Sequence, residues 1–461
     1  MSMIAAYMVP HPPMIVPDVG KGSEKQVEAT IKTYEMVADE IADLEPDTII
    51  ISSPHSVMYL DYFHISPGQE ASGSFAGFRA PQVSFHEKYD TELVEKISQI
   101  SYEKGVPAGT LGEQDPHLDH GTMVPLYFIE KKYKDFKLVR TGLSGMSLAD
   151  HYAFGQAVQQ AVMETGRKTV YVASGDLSHK LQKYGPYGFA EEGPVYDEKI
   201  MDVCSRGAFG ELFDFSETLC EKSAECGHRS FVIMAGALDG MEVTARALSH
   251  EDVTGVGYGI CTFHPGGEDP DRHFLKKYLE RSAAEVSEQM ENSDEYVRLA
   301  RASVESFVRE GKRISVPDGL PEALERGKAG AFVSIHENGS LRGCIGTIMP
   351  TRDSLAEEII ENAISASTKD PRFDPIRPEE LKYLEINVDV LGAPEDIESK
   401  DQLDVKRYGV IVTSMGRRGL LLPDLEGVDT VEQQISIAKR KAGIGEDEPV
   451  KLQRFEVIRH R

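Results

Sequence analysis

Residues 1 to about 264 alternate short apolar segments with amphipathic ones, and this alternation constrains the fold more than any other feature. The apolar segments have the length of strands, and the amphipathic segments have the spacing of helices. The predicted strands are 3–9, 48–52, 136–143, 169–174 and 253–263, and the predicted helices include 24–44, 90–104, 148–165 and 229–238. Such alternation is typical of an α/β domain with a mainly parallel sheet. We predict that domain over residues 1–265.

The remainder of the chain has a different pattern. The stretch HPGGEDPDRH is polar and rich in Pro and Gly, so we predict a linker over 266–290, although 274–299 has a helical composition. Residues 291–461 then form a second, α+β domain. Its predicted strands are 330–336, 338–348, 384–391 and 408–413, and its predicted helices are 352–368 and 430–442.

The charge balance restricts the partners. The chain has 50 Lys and Arg against 76 Asp and Glu, a formal net charge of −26. A protein that tracks a nucleic-acid backbone needs a basic face, and none stands out. Five scattered cysteines suggest a reducing compartment. No apolar run approaches the roughly 18 residues that a membrane span needs, and the first residues lack the features of a signal peptide. We therefore expect a cytoplasmic protein that binds neither nucleic acid nor membrane.

Histidines follow three of the predicted strands. His11 lies in VPHPP, His55 in SPHS, and His179 in SGDLSH, where Asp176 precedes it by three residues. Parallel strands present their carboxyl ends at one edge of the sheet, where open α/β folds bind ligands. A fourth histidine, His120, lies in LDHGTMVPL ahead of an apolar helical segment. Clustered imidazoles can hold a metal and move protons.

A catalytic metal is expected to have a third protein ligand, and the segment SAECGHRSF offers Glu225 and Cys226. Two histidines with one carboxylate form the facial triad of non-haem Fe(II) oxygenases. Two histidines with a thiolate form a softer site that could take iron, copper or zinc.

Taken in order, VPHPP, SPHS, LDHGTMVPL, SGDLSH and ECGHRSF resemble the LigB-type superfamily, which contains the class III extradiol ring-cleavage dioxygenases and the related Memo proteins. The resemblance implies that His11 and His55 are metal ligands. It implies that His179 is the catalytic acid/base and that His120 is a second active-site histidine. The third ligand is Glu in the dioxygenases and Cys in Memo proteins. Alignment on the following glycine favours Cys226, with Glu225 as the alternative.

In a dioxygenase, the resemblance implies an Fe(II) cofactor and a catechol-like or small aromatic substrate. His179 would take a proton from that substrate. Asp176 would orient His179 through a carboxylate–imidazole hydrogen bond, an arrangement that such sites favour.

In the C-terminal region, NGSLRGCIGTI, ASTKDPRF and SMGRRGLLLPD resemble the AMMECR-type domain. Its combination with a Memo-like domain resembles the AmmeMemoRadiSam system, which implies a radical S-adenosylmethionine protein as a partner. Arg342, Cys344 and Arg372 form a possible second site here. The two arginines could bind an anion and could acidify the thiol.

Three functions remain open from the sequence. The first is a non-haem iron oxidoreductase of the extradiol type. The second is a Memo-like protein that binds iron or copper without cleaving rings and works with a radical partner. The third is a zinc-dependent hydrolase or lyase on the same scaffold. All three place a metal at His11 and His55.

Overall fold

The computed structural model describes residues 2–425 and 427–461. The chain forms two compact units, Met1–Tyr278 and Leu279–Arg461. The first unit is an α/β structure with a mainly parallel sheet, and the second is built on a separate antiparallel sheet. This confirms the fold class predicted from the sequence.

The elements of the N-terminal unit follow one another as strands separated by helices. The helices are α1 Pro17–Gly20, α2 Glu28–Leu44, α3 Thr91–Glu103, α4 His120–Ile129, α5 Leu148–Thr165, α6 Glu192–Arg206, α7 Glu217–Ser223, α8 His228–Gly236 and α9 Phe274–Asn292, which continues into the second unit. The strands are β1 Met3–Val9, β2 Thr48–Ser52, β3 Phe63–His64, β4 Glu70–Phe75, β5 Ala80–Lys88, β6 Ala108–Gly109, β7 Lys137–Thr141, β8 Thr169–Ser174, β9 Met241–Glu251 and β10 Tyr258–Glu268.

The central sheet has the strand order β7-β2-β8-β1-β10-β9. Strands β7, β2, β8 and β1 are parallel, and β10 and β9 add an antiparallel edge. Every residue of β2 and β8 is buried, as expected for strands covered by helices on both faces. One face packs against α2 and α4, and α5 and α8 also contact the parallel strands. The helices α5 and α8 approach closely, since a Cβ on Gly155 would lie 2.1 Å from the carbonyl oxygen of Ile233.

Among the elements of this unit that were not predicted from the sequence are the β4–β5 hairpin and the edge strand β9. The hairpin of β4 and β5 is largely exposed, so its strands lack a clear apolar alternation. The edge strand β9 has no fully buried residue, although apolar and polar residues alternate over 241–247. Both elements thus lack the fully buried apolar run that marked the predicted strands.

Most residues of the predicted linker lie in regular secondary structure. Strand β10 continues to Glu268, and most of the remaining segment lies in α9. The helix predicted over 274–299 is interrupted after Asn292. The side chain of Asp294 accepts hydrogen bonds from the backbone N–H groups of Tyr296 and Val297, so a new helix begins there.

The C-terminal unit contains α10 Glu295–Glu310, α11 Glu322–Glu325, α12 Leu355–Thr368 and α13 Val431–Lys441, with strands β11 Ala331–Glu337, β12 Ser340–Gly346, β13 Leu384–Leu391, β14 Glu395–Ile397, β15 Tyr408–Ser414, β16 Arg417–Leu421 and β17 Lys451–His460. Its antiparallel sheet has the order β12-β11-β13-β17-β15-β16, and β14 also pairs with β17. Helices α10 and α12 pack together and bury an apolar core against β11 and β13.

A buried carboxylate holds the start of α9 in the N-terminal unit. Asp239 is 7% exposed. It accepts hydrogen bonds from the Tyr152 hydroxyl at 2.7 Å, Gln156 Nε2 at 2.9 Å and His273 Nδ1 at 2.8 Å. It also accepts from the backbone N–H of Phe274 at 3.2 Å. Removing this carboxylate leaves several buried donors without a partner.

We therefore expect Asp239→Ala to lower the free energy of unfolding by about 3 kcal/mol. The matched control is Asp202→Ala, because Asp202 forms an exposed ion pair with Arg206 on α6. Exposed pairs contribute roughly 0–1 kcal/mol. Urea unfolding followed by circular dichroism compares the two variants, and equal losses of stability would show that Asp239 has no special structural role.

Candidate metal centre

The parallel strands β1, β2 and β8 end at nearly the same position along the sheet. The predicted metal-ligand histidines lie in the loops that follow β1 and β2. In the register of the sheet, Val9 of β1 lies opposite Ser174 of β8, and Ser52 of β2 lies opposite Ala173. His11 and His55 follow β1 and β2 by two and three residues. Because the pairing is parallel, both histidines emerge at the same edge.

Three side chains form a compact donor group at this edge. The Nε2 atoms of His11 and His55 are 3.0 Å apart, and Cys226 Sγ lies 3.6 Å from His11 Nε2. All three donor atoms lie within 4.8 Å of one another. Metal–ligand bonds of about 2.1 to 2.3 Å separate neighbouring donors by roughly 3 to 4 Å. His11 is buried, Cys226 is partly buried and His55 is exposed, so one side of the group is open to solvent.

A hydrogen-bond chain determines the tautomer of His11. The Ser174 hydroxyl donates to the carbonyl oxygen of Gly121 at 2.5 Å. Its single proton is thereby used, so Ser174 Oγ must accept the proton of His11 Nδ1, which lies 2.9 Å away. The lone pair of His11 Nε2 is then directed at His55 and Cys226. Metal-ligating histidines commonly have such a partner on the other ring nitrogen.

The histidines of the cluster are held in the neutral form. Burial lowers the pKa of His11 well below its ordinary value, and the neighbouring histidines lower it further. Burial also lowers the pKa of His55, and it lowers the pKa values of His120 and His179 to about 4. Neutral imidazole is the form that binds metals.

The thiol needs a cation to ionise here. Burial raises the pKa of Cys226 well above its ordinary value, and the nearby carboxyl groups of Asp176 and Glu225 raise it further. A coordinated transition metal deprotonates a thiol outright. Two neutral imidazoles and one such thiol therefore suit a transition metal of borderline or soft character.

The carboxylate of Glu225, the residue before Cys226, does not belong to the donor group. Glu225 accepts a hydrogen bond from the backbone N–H of His228 at 2.6 Å, at the start of α8. Burial raises the pKa of Glu225 to about 7. Among residues 2–425 and 427–461, the donor group comprises His11, His55 and Cys226 and does not include Glu225.

Asp176 does not play the role expected for it. Its Oδ1 accepts the backbone N–H of His11 at 2.8 Å, and its own N–H points to Cys226 Sγ at 3.3 Å. Its carbonyl oxygen accepts the N–H of Gly227 at 3.1 Å. Asp176 thus joins the two segments that carry His11 and Cys226, and the expected hydrogen bond to His179 is not formed. The chain after Asp176 turns to pair with residues 255–257, which carries His179 away from that carboxylate.

His179 is close enough to His11 and His55 for their charges to interact, and one of its ring nitrogens has no partner among the described residues. Its Nε2 is buried and has no hydrogen-bond partner within the described ranges. The imidazole stacks on Tyr187, with ring centroids 5.0 Å apart and planes inclined by 25°. A buried polar atom without a partner is costly, so this nitrogen is available to a bound molecule.

His120 is the first residue of α4, and its ring contacts the donor group directly. The ring centroid lies 4.0 Å from that of His55 and 5.5 Å from that of His11. Phe78, next to the turn of the β4–β5 hairpin, covers another side of His120 at 5.5 Å. The structure therefore brings all four predicted histidines to one place.

Several residues that support the site were missed by the sequence analysis. They are Ser53, Asp119, Gly121, Arg140 and Ser174, which contact the candidate ligands or the turn that carries His120. One signal was available, because Asp119 directly precedes an apolar helical segment and Asp is a preferred N-cap residue, and this cap is present.

The predicted second site, in the C-terminal unit, does not have the expected electrostatics. Arg372 forms two hydrogen bonds with Asp370, and Arg342 donates to Glu380 at 2.7 Å. Both guanidinium groups are thus already paired with carboxylates. Burial raises the pKa of the Cys344 thiol. The expectation of an anion site with an acidified thiol therefore receives no support from the geometry.

Comparisons with known proteins agree with this geometry. The sequence profile described as the catalytic LigB subunit of aromatic ring-opening dioxygenase matches residues 5–261. The chain belongs to the LigB family. A second profile, AMMECR1, matches residues 297–460. The LigB match covers β1, β2, β8 and the donor group, so the N-terminal unit has a dioxygenase-like scaffold.

Relatives match either the whole chain or about a third of it. A protein from Clostridium acetobutylicum is 41% identical over the full length of both chains. A protein from Thermotoga maritima is 53% identical over 36% of this chain and 97% of its own. The crystal structure of an uncharacterized protein from Pyrococcus horikoshii is 34% identical and covers 36% of this chain and 88% of its own, with a TM-score of 0.34.

Within the described residues, no helix has the length and apolarity required to traverse a lipid bilayer.

The close approach at Gly121 can be tested directly. A Cβ at this position would lie 2.3 Å from Ser53 Oγ and 3.1 Å from Asp119 Oδ1. We expect Gly121→Ala to destabilise the protein by about 1–3 kcal/mol because Ser53 must move and lose its hydrogen bond to Asp119. The control is Gly267→Ala, where the nearest atom would be 3.8 Å away. Thermal unfolding compares the two variants, and an unchanged or raised midpoint for Gly121→Ala would contradict the crowding.

Proposed function

We propose that this chain is a metal-dependent oxidoreductase of the aromatic ring-opening dioxygenase type. In this proposal His11, His55 and Cys226 hold iron(II), with copper or zinc as the alternative metals. The substrate is a small catechol-like aromatic molecule. The observation that carries the proposal is the convergence of two neutral imidazoles and a thiol at the carboxyl edge of a LigB-family sheet.

The metal and the protein would have separate tasks. Iron(II), when bound, would supply Lewis acidity and redox reactivity toward O₂. His179 Nε2 is buried beside the donor group without a partner among the described atoms, and burial keeps its imidazole neutral. This nitrogen can therefore accept a proton from a substrate hydroxyl group, and it can return that proton later. The stacked ring of Tyr187 limits how far His179 can rotate.

His120 and Phe78 would also line the substrate site. His120 contacts the ring of His55, and Phe78 packs edge-on against His120. Together they present a neutral imidazole and an apolar ring beside the open side of the donor group. This surface suits a planar molecule with few charges, because an aromatic ring packs favourably edge-to-face or offset against another.

The donor set is tested by metal content. Anaerobically purified protein should contain about one metal ion per chain, since the residues that the structure describes contain one such donor group. We expect the double variant His11→Ala/His55→Ala to lose the metal, because two of its three ligands are removed. Cys226→Ser should bind it much more weakly, whereas Glu225→Gln should retain it. His86→Ala, on the exposed hairpin strand β5, is the matched control. Unchanged metal loading in the double variant would refute the proposed site.

The proposed proton acceptor gives a separate prediction. His179→Ala should lower turnover by about 10²–10⁴-fold, the usual contribution of a positioned acid/base. Metal content should stay unchanged because His179 is outside the donor group. Oxygen uptake on a panel of catechols measures turnover, and elemental analysis measures the metal. Full activity in this variant would remove His179 from the proposed mechanism.

The thiol in the donor group favours a second candidate function. Facial-triad oxygenases use a carboxylate at this position, and a thiolate is a softer and more strongly donating ligand. The second candidate is therefore an iron- or copper-binding protein that does not cleave rings and that serves a radical S-adenosylmethionine partner. Iron or copper bound at the three residues without oxygen uptake on any catechol would favour this candidate over the first.

A further inference from the structure

Two hydrogen-bond chains connect the candidate ligands to one short turn. From His11, Nδ1 donates to Ser174 Oγ, which donates to the carbonyl oxygen of Gly121. From His55, the backbone N–H donates to Ser53 Oγ at 3.2 Å, which donates to Asp119 Oδ1 at 2.6 Å. Asp119 and Gly121 are two residues apart at the start of α4. The turn at 119–121 is therefore a common support for both histidines.

The turn itself is rigid. Asp119 Oδ1 accepts the N–H of Thr122 at 3.0 Å, and Asp119 Oδ2 accepts the Thr122 hydroxyl at 2.9 Å. Because Gly121 has no side chain, both Ser53 and the His55 ring can approach it closely. A Cβ there would lie 2.3 Å from Ser53 Oγ and 3.4 Å from the His55 ring. The Asp119 carboxylate accepts three hydrogen bonds, from Ser53 Oγ and from the N–H and hydroxyl of Thr122. It cannot rotate without breaking at least one of them.

A buried arginine also contacts the turn at 119–121 and the residues just before it. Arg140 is 1% exposed and lies on β7. Its guanidinium donates to the carbonyl oxygen of His117 at 2.5 Å and to Ser66 Oγ at 2.7 Å, and it lies 3.7 Å from Asp119 Oδ2. A buried guanidinium requires a counter-charge and satisfied donors. Arg140 therefore ties the segment before α4 to the central sheet.

We propose that Asp119 is a positioning residue that sets the separation of the His11 and His55 donor atoms, and that Arg140 holds its carboxylate in place. This inference rests on the metal site proposed above. Asp119 does not touch the metal; it acts through Ser53 on His55, and its turn acts through Gly121 and Ser174 on His11. Partners of this kind determine ligand orientation and thereby metal affinity.

The test measures the affinity of the full-length chain for Co²⁺ by competition with a chelating dye. Asp119→Ala should weaken Co²⁺ binding by about 10–100-fold, the usual effect of losing such a partner. Asp119→Asn should restore most of the affinity, because an amide oxygen still accepts from Ser53 and from the Thr122 N–H. Ser53→Ala should also weaken binding, since it cuts the link to His55 and leaves the α4 cap intact.

A matched control separates positioning from general stability. Ser147 caps α5 in the same way that Asp119 caps α4. Ser147→Ala should lower the thermal midpoint without changing the Co²⁺ affinity. The absorption spectrum of bound Co²⁺ should change in Asp119→Ala and stay unchanged in Ser147→Ala. If Asp119→Ala does not fold, Ser53→Ala carries the test.

The outcomes are distinguishable. Parent-like affinity and spectra in Asp119→Ala and Ser53→Ala, with binding that still depends on His11 and His55, would overturn the positioning role alone. Parent-like affinity in His11→Ala/His55→Ala would overturn the metal site itself.

Discussion

Parallel pairing of β1, β2 and β8 in near-level register is the constraint on which the candidate site depends. Each strand ends at nearly the same height, so short loops deliver His11, His55 and Asp176 to one edge. Strands β2 and β8 are buried on both faces, so a shift of one residue would exchange the side chains on the two faces and disrupt their packing against the helices. The site therefore inherits its geometry from the most strongly buried part of the unit.

Hydrogen bonds between polar groups connect the loops at that edge. Burying such groups without a partner would cost free energy. Ser174, Ser53 and Asp176 each satisfy a donor or acceptor of a candidate ligand or of its backbone. Burial then favours neutral imidazoles, which suits them to bind a metal. The same burial disfavours a free thiolate at Cys226. Burial therefore explains both why these polar groups must be paired and why the imidazoles are in the neutral form that binds a metal.

Much of this was predictable from local pattern. Alternating apolar and amphipathic segments predicted the strands at 3–9, 48–52 and 169–174, and the structure contains them with those bounds. The position of His11 and His55 after such strands predicted a shared edge, and their Nε2 atoms meet there. Exposed elements were harder to predict. The β4–β5 hairpin carries little apolar periodicity, and β9 alternates apolar and polar residues over 241–247 without fully burying any of them.

The sequence by itself determined the architecture and the residue types that gather at the sheet edge, because burial imposes periodic patterns that can be recognised along the chain. Only the tertiary structure decided which neighbour faces the donor group. Glu225 and Cys226 are adjacent, yet the carboxylate caps α8 while the thiol points to His11. Asp176 likewise binds the backbone of His11 rather than His179. Adjacent side chains on a turn point in different directions, and packing against distant segments, rather than spacing in the sequence, determines which of them enters the site.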